Sequence, residues 1–419
     1  MNEDRVFAKC AWRLIPFVVL LLTVNFLDRV NVSFAALTMN KDLGFSPSIY
    51  GLGAGLFFAG YCLFEVPSNI VLTRVGARRW MFRIVLSWGV ASAATAFVQG
   101  PASFYLLRFL LGVAEAGLYP GLVFYLTLWF PHAYRARFLA GFIAAAPFAS
   151  AIGGPVSVLI LGMDGLLGLR GWQWLFLLEG LPAVLLSFAV LKALPDGPAR
   201  AAWLSGEEKA IIAARLASEE PTGDTGLWSG LRDPRVLALG VVLLGFAFAR
   251  YGVGLFLPQI VQAMGFSNLE TGFVVAVPYV VSIGAMVLWA RSSDAKGERI
   301  WHVALAALFT AAGFGVAGLG DSDLLVLVAL TMVTVGIHAA YGPFFCLPSS
   351  FLSGPAAAGG IALITTISNF GGLLGPTIIG VLRQETGGYG AGMSVMALGM
   401  AMSAGIVLAL GRAMALRTA

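Results

Sequence analysis

Residues 43–51 read LGFSPSIYG and residues 264–272 read MGFSNLETG, so Gly44, Phe45, Ser46 and Gly51 recur 221 positions later as Gly265, Phe266, Ser267 and Gly272. The same offset links Gly76 to Gly297 and the pair Gly154-Pro155 to Gly375-Pro376. Repetition at one spacing indicates that the chain consists of two copies of one unit. In a strongly apolar chain, tandem copies of a multi-helix unit are typical of transporters whose halves rock about a site between them.

The composition places most of the chain in lipid, because 59% of the residues are hydrophobic and only 11% are charged. A single water-soluble core is excluded. Apolar stretches of about 20 residues are long enough to cross a bilayer. The sequence therefore predicts an all-α membrane protein with 12 transmembrane helices in two pseudo-symmetric six-helix bundles. The predicted spans are 12–34, 50–72, 80–98, 102–129, 137–161 and 172–193, then 235–262, 270–290, 300–320, 324–347, 356–382 and 389–411.

The one long polar stretch, residues 194–234, separates the two copies. Within it, LSGEEKAIIAARLASEE has helical spacing, and Ser205 is placed to cap the start of a helix. We therefore expect an N-terminal six-helix bundle over 1–193, a cytoplasmic linker with a short amphipathic helix over 194–234, and a C-terminal six-helix bundle over 235–419.

The basic residues predict the orientation of the chain. Of the 26 Lys and Arg residues, three lie deep in spans, and only Lys41, Arg170 and Arg383 lie in loops opposite the termini. The positive-inside rule then places both termini in the cytoplasm. The first apolar run continues without a signal cleavage site, and we interpret it as a retained first helix. No pattern of the sequence indicates nucleic-acid binding, a disulfide framework, a metal site or an enzyme's catalytic motif.

Seven charged residues remain inside the predicted spans: Asp28, Arg29, Glu65, Arg108, Glu115, Glu179 and Arg250. A charge near the bilayer centre costs about 2.5–3.5 kcal/mol on insertion scales, so such residues usually face the bundle interior or a wet cavity. These residues define the candidate site.

Helical geometry brings four of these residues together. Arg108 and Glu115 are two turns apart on one helix face, separated by about 10 Å along its axis. Asp28 reaches nearly the depth of Arg108, which predicts an Asp28–Arg108 pair. Arg29, about 100° further round its helix, can point elsewhere in the same cavity.

These residue types can couple an anion to a proton. An arginine grips a carboxylate with two hydrogen bonds and keeps its charge. An anionic substrate on the arginine withdraws the positive field from a neighbouring carboxylate and favours protonation of that carboxylate. The alternative is that the four residues are interhelical salt bridges that lock one conformation.

The other three charges have different interpretations. Glu65 and Glu179 each lie close to a proline, and we expect a gating or structural role in which they satisfy freed backbone groups. Arg250 stands 221 positions after Arg29, which predicts symmetry-related arginines that hold a substrate with two polar ends. Arg250 can instead pair with a carboxylate or snorkel, and substrate contact by His338 is left open.

The whole chain resembles the major facilitator superfamily, and its loops at 69–79 and 290–299 resemble that superfamily's signature and its repeat. Arg78 and Asp294 fit the signature, which implies gating or structural roles for them. Thr73 and Ala295 depart from it.

More narrowly, five segments resemble the anion:cation symporter family, in its tartrate, phthalate and hydroxyphenylacetate permease-like branch. They are FLDRVN (26–31), FFAGYCLFEVPSN (57–69), RFLLGVAEAGLYPG (108–121), WFPHAYRAR (129–137) and WQWLFLLEGLPA (172–183), joined by YGVGLFLPQIV and ISNFGG. The resemblance implies that Asp28 and Glu115 couple protons, and that Arg29 and Arg108 bind substrate or gate. It also implies substrate contacts from Asn369, and the same motifs contain the candidate substrate-binding residues Tyr119 and Tyr251.

The resulting hypothesis is a proton-coupled symporter of a bacterial inner membrane that imports an organic carboxylate, either a hydroxy-dicarboxylate or an aromatic carboxylate. Its expected partners are the anion, the proton as coupling ion and the lipid bilayer, with no cofactor, and a monomer is expected. The alternatives are a proton-independent organic-anion exchanger, an exporter, or a transporter-like receptor that binds its ligand without moving it.

Overall fold

The computed structural model describes residues 3–218, 227–320, 322–352 and 354–418. In these ranges the regular structure is helical, and 12 helical segments are long and apolar enough to cross a membrane, which confirms the predicted fold class. The α-helices are α1 Glu3–Asp42, α2 Pro47–Val75, α3 Ala77–Ala94, α4 Pro101–Glu115, α5 Leu118–Thr127, α6 His132–Leu161, α7 Gly171–Ala193, α8 Gly206–Ala217, α9 Leu227–Arg232, α10 Pro234–Ala263, α11 Asn268–Lys296, α12 Ile300–Leu319, α13 Asp323–Cys346, α14 Gly354–Thr386 and α15 Gly390–Thr418.

The repeated GFS motif is a turn followed by a helix cap. Gly44 and Gly265 both adopt positive φ, at 65° and 93°, in the turns that follow α1 and α10. Ser46 then accepts a hydrogen bond from the backbone N–H of the residue three positions on, and Ser267 does the same at the start of α11. The side-chain oxygen satisfies a backbone donor that a helix start leaves unpaired. The repeat therefore marks where the second helix of each half begins.

The fourth predicted span is not one continuous helix. It divides into α4 and α5 at Ala116 and Gly117, where Gly117 has φ of 90°. Glycine is the residue that adopts this conformation without steric cost. The break makes Glu115 the last residue of α4, and Glu115 therefore lies in the interior of the predicted span.

The two halves meet at the end of the bundle opposite the termini. On one side, a Cβ at Gly51 of α2 would collide with the carbonyl of Pro376 of α14. On the other side, a Cβ at Gly154 of α6 would collide with the carbonyl oxygen of Gly272 of α11. The repeat makes Gly51 equivalent to Gly272, and the 154–155 pair equivalent to 375–376, so the two contacts are symmetry counterparts. We call them the glycine seams.

Apolar and polar contacts continue the closure at that end. One apolar cluster runs through both halves and includes Phe45 and Phe104 of the first half and Phe256 of the second. The hydroxyl of Tyr50 donates to the carbonyl oxygen of Leu255 at 2.7 Å. These contacts seal the opposite end in this conformation.

The linker is attached to both halves. Ser205 accepts a hydrogen bond from the Glu208 N–H and begins α8. Lys9 of α1 forms an ion pair of 2.8 Å with Glu208, and this lowers the pKa of the Glu208 carboxyl. Further along, α9 packs on α14, where Gly230 lies against the backbone of Ala356. Residues 219–226 of the predicted linker lie outside the described residues.

Candidate functional site

The centre of the site is an ion pair between α1 and α4. Both Nε and Nη2 of Arg29 contact Oε1 of Glu115. The Glu115 side chain is 1% exposed and that of Arg29 is 14% exposed. The Arg29 guanidinium also lies over the rings of Tyr61 and Phe57, at 5.0 and 5.3 Å from their centroids. The ring of Phe26 lies 5.7 Å away as well. Aromatic faces favour a desolvated cation, so Arg29 is held between one acid and three rings.

Asp28 does not form the predicted pair with Arg108. Its carboxylate instead accepts three hydrogen bonds, from Trp88 Nε1 at 2.6 Å, Ser92 Oγ at 2.7 Å and Asn31 Nδ2 at 3.0 Å. The prediction was wrong because neutral donors of α3 and of α1 itself occupy both carboxylate oxygens. Hydrogen bonds from three neutral donors stabilise the charged form of a buried carboxylate even where no arginine is paired with it directly.

Arg108 is buried but has free hydrogen-bond donors. It is 1% exposed, and neither its Nε nor its Nη1 has a hydrogen-bond partner. Its guanidinium carbon lies 5.2 Å from the Phe57 ring centroid, and its charge interacts through space with Glu115 and Asp28. Because an unmade hydrogen bond of a buried charged group is costly, this side chain is prepared to accept an anionic or polar partner.

Glu65 links the two halves. Its Oε2 accepts a hydrogen bond of 3.1 Å from Nδ2 of Asn369 on α14, and its charge interacts with that of Arg29. The expected backbone role is not what this carboxylate performs, because its side chain crosses to the other half. Asn369, predicted to contact substrate, thus lies beside the Arg29–Glu115 pair.

Arg250 lies in a ring of tyrosines of the second half. Its guanidinium carbon is 5.2 Å from the Tyr251 ring centroid and 5.8 Å from that of Tyr341, and Tyr279 also interacts with its charge. Tyr119 of α5 reaches the same charge from the first half. Among the described residues, Arg250 forms no ion pair with a carboxylate.

Tyr251 connects this ring to the first half. It interacts electrostatically with both Arg29 and Arg250, and its ring centroid lies 4.3 Å from that of Phe58. His338 lies at the edge of the ring, with its centroid 6.0 Å from that of Tyr279, and its Nδ1 contacts the carbonyl oxygen of Thr334 at 2.8 Å. The central cluster consists of Arg29, Glu65, Arg108, Glu115, Arg250, Tyr251 and Asn369.

Glu179 lies away from the central cluster, between helices of the first half. It is 8% exposed, and its Oε1 accepts a hydrogen bond of 2.9 Å from Ser157 of α6. The side chain of Asn31 is also within hydrogen-bonding reach of Glu179. The negative charge of Asp28 acts on Glu179 through space. The expected role at a proline-disturbed backbone is therefore not what the carboxylate does.

Arg78 and Asp294 lie at the end of the bundle that carries the termini. The backbone N–H of Arg78 donates to Asp196 at 2.9 Å, and its side chain lines a cavity of about 360 Å³ with Arg79 and Arg200. Asp294 forms an ion pair of 2.7 Å with Arg299. Arg78 is at the start of α3 and Asp294 is near the end of α11, outside the central cluster, and their gating or structural role stays a prediction.

Sequence reasoning missed the neutral partners of the buried acids. Asn31 lies three residues after Asp28 on the same helix face, and Trp88 and Ser92 are four residues apart on α3. That spacing places side chains side by side on a helix and could have identified Asn31. Nothing in the sequence pairs α3 with α1. In the described ranges, no group of three or more His, Cys, Asp or Glu residues is placed to hold a metal ion.

Comparisons with known proteins agree with this architecture. The family model described as Major Facilitator Superfamily matches residues 18–376. An Agrobacterium vitis protein named "Putative tartrate transporter" is 48% identical over 413 residues, which cover 98% of this chain and 92% of that protein. A "Quinolone resistance transporter" of Acinetobacter baumannii is 41% identical over 403 residues, covering 95% of this chain and 93% of that protein.

A solved structure has the same fold. It is a bacterial homologue of the human lysosomal transporter Spinster in an inward-facing and unoccupied conformation. The TM-score is 0.78 at 17% sequence identity, with 98% of this chain and 97% of that chain covered. At this identity the likeness establishes the fold alone.

Proposed function

Because the chain belongs to the Major Facilitator Superfamily and is a membrane transporter rather than an enzyme, we propose that it imports an organic carboxylate together with protons by alternating access. The proposed location is a bacterial inner membrane with both termini in the cytoplasm. The proposed substrate class is a hydroxy-dicarboxylate such as tartrate, an assignment supported by the name of the Agrobacterium vitis relative.

The observation that carries this proposal is the uncompensated charge of Arg250. This partly buried guanidinium lies between tyrosines of both halves and has no carboxylate partner among the described residues. A buried charge needs a counter-charge or several hydrogen bonds, and an anionic substrate supplies both. Arg108, with its free Nε and Nη1, offers donors on the first half for a further polar group of the substrate, such as a hydroxyl.

The coupling step uses the ion pair of Arg29 and Glu115. When a substrate carboxylate forms two hydrogen bonds with the guanidinium of Arg29, Glu115 loses its counter-charge in a dry environment. A proton from solvent then neutralises Glu115, so the loaded site carries both the anion and the proton. When the substrate leaves, Arg29 returns to Glu115 and the proton is released. In this scheme Glu115 couples protons and Arg29 binds substrate.

A second candidate function is export of a drug, and the Acinetobacter baumannii relative named for quinolone resistance favours it. A quinolone carries a carboxylate beside an aromatic system, which also suits an arginine surrounded by tyrosines. The two functions differ in direction and in coupling. A symporter accumulates substrate along an inward proton gradient, whereas a proton-driven exporter expels it under the same gradient.

The test is uptake by proteoliposomes that contain the purified protein. With an acidic exterior, we expect L-tartrate to accumulate above its external concentration and to equilibrate only when the pH gradient is collapsed. Arg250→Gln should abolish this uptake, whereas Arg291→Gln, at an exposed arginine at the end of α11, should leave it intact. Accumulation that is independent of the gradient would indicate an exchanger, and binding without flux would indicate a receptor.

A further inference from the structure

A second set of buried polar residues lies outside the central cluster. Asp28 and Asn31 of α1, Ser157 of α6 and Glu179 of α7 form a chain of side chains within the first half, which we call the lateral chain. At one end of this chain, Trp88 and Ser92 of α3 donate hydrogen bonds to the carboxylate of Asp28. All six are buried. The lateral chain contains two carboxyl groups but no basic residue.

The charges around Glu179 do not favour an ionised carboxylate. The titratable group that faces it from α1 is Asp28, an acid, while α6 contributes Ser157 and α3 contributes Trp88 and Ser92, which are all neutral. Arg29, the next residue of α1, is engaged by Glu115 on another face of that helix. Two like charges that share a dry site strongly disfavour each other. Asp28 also interacts through space with Arg108 of α4, so of the two carboxyl groups it is Glu179 that needs a proton.

Two unpaired atoms indicate where this proton belongs. Oε2 of Glu179 and Oδ1 of Asn31 are both buried and have no hydrogen-bond partner. Both atoms are acceptors when the carboxylate is ionised, so neither can satisfy the other. The Asn31 side chain lies within hydrogen-bonding reach of Glu179, so a proton on Oε2 would convert that oxygen into a donor that can use Oδ1 of Asn31 as its acceptor. One proton thus satisfies both atoms, and Asn31 Nδ2 keeps its bond to Asp28.

The position of Glu179 connects it to one glycine seam. Its partner Ser157 lies on α6 between Gly154 and Val158, and both of these contact Gly272 of α11. Glu179 is eight residues from the start of α7, which places it about 12 Å from the end opposite the termini. The carboxyl group therefore lies directly behind the contact that closes this end.

We propose that Glu179 is a proton-binding residue of this transporter, in addition to Asp28 and Glu115, and that it takes its proton from the side opposite the termini. It binds the proton while the glycine seams are open and retains it, hydrogen-bonded to Asn31 and Ser157, when they close. This inference rests on the proposed proton coupling, but binding of a proton at Glu179 can be measured without any substrate.

The first experiment is infrared difference spectroscopy of the purified, substrate-free protein between alkaline and mildly acidic pH. The C=O stretching band of a buried protonated carboxyl should be present in the wild type and lost in Glu179→Gln. The amide keeps an acceptor for Ser157 and a donor for Asn31, so this variant should fold, and its melting temperature checks this. The exposed-site control Glu385→Gln should retain the band, and Ser157→Ala should shift its frequency. A band that is unchanged in Glu179→Gln overturns the proposal.

The second experiment measures coupling with L-tartrate as the probe. The Glu179→Gln protein should retain tartrate counterflow but carry one proton fewer per tartrate, as read from the reversal potential in proteoliposomes. An unchanged ratio overturns the role in coupling. If Na⁺ stimulates uptake by the wild type and Glu179→Gln does not remove the infrared band, the oxygens of Glu179 are assigned to sodium, which also overturns the proposal. If the wild type does not transport tartrate and the band is nevertheless lost, proton binding stands and the substrate assignment fails.

Discussion

At the scale of single residues, Arg250 shows how a partly buried charge without a carboxylate partner defines a candidate binding site. Tyrosine rings and hydroxyls surround the guanidinium and soften the cost of its burial, but they do not neutralise it. The guanidinium group is planar and permanently charged, and it favours a carboxylate that accepts two of its hydrogen bonds. The residue is therefore best tested with ligands that differ by one carboxylate.

We expect Arg250→Ala to discriminate between diacids and monoacids. Loss of a charge-assisted contact in a partly dry site costs about 1.5–3 kcal/mol, which lowers the affinity for L-tartrate roughly tenfold or more. The affinity for a simple hydroxy-monoacid should fall much less. Isothermal titration of the folded variant measures both, and an equal loss for the two ligands would mean that Arg250 is structural.

Glu115→Gln should separate transport from its driving force. A neutral amide imitates the protonated acid and releases Arg29 to the substrate permanently, so tartrate exchange should persist. Accumulation driven by a pH gradient should be lost. Parallel counterflow and uphill-uptake assays measure the two properties. Unchanged uphill uptake would exclude Glu115 as the coupling acid.

The sequence identified the charged residues of the site but not all of their partners. Insertion cost alone marks Arg29, Glu115 and Arg250 as unusual, because an isolated charge in an apolar span requires an explanation. The partner of Asp28 depends on how α3 and α7 pack against α1, and depth along each helix does not determine that packing. Neutral donors such as Trp88 carry no such signal, so Asp28 was assigned to the wrong partner.

At the scale of helices, the glycine seams set how closely the two halves approach. The seam residues of α2 and α11 have no side chain between the backbones that meet there, and any Cβ would force those backbones apart. The capped turns that begin these two helices fix their register, because Ser46 and Ser267 each start the helix five residues before its seam glycine. The motif that revealed the repeat is thus also the device that closes one end.

Gly272→Leu should hold the end opposite the termini open. Spin labels at Leu167 and Glu385, which are exposed loop and helix-end positions of the two halves, should move apart in double electron–electron resonance measurements. Tartrate-driven closure should no longer shorten the distance. The matched control is Gly284→Leu on the same helix, where a Cβ meets nothing within 4 Å. Equal distance distributions in both variants would show that the seam does not limit closure.

At the scale of the whole molecule, the sequence determined the number and limits of the spans well. Apolar length and the repeat offset define twelve crossings, since lipid leaves the backbone few alternatives to a helix. The break between α4 and α5 was not predicted, because Gly117 is one glycine among 52 and its φ depends on the fold. Local conformation inside a span is less strongly encoded than the span itself.

The proposed orientation can be tested by labelling. In a background where Cys10, Cys62 and Cys346 are replaced by serine, a cysteine at Glu207 of α8 should react with an impermeant maleimide only in inside-out vesicles. A cysteine at Leu167, which is 81% exposed at the other end, should react in intact cells. The opposite pattern would reverse the orientation and assign the closed end to the cytoplasm.

The attachment of α8 to α1 and of α9 to α14 has a mechanical consequence. Helix α8 is attached to the first half and α9 to the second, and nine residues of chain join Ala217 to Leu227. That stretch can span no more than about 35 Å when fully extended. The covalent length of this connection therefore limits how far the two halves can separate at this end. Shortening it should narrow the opening without changing any residue that binds substrate.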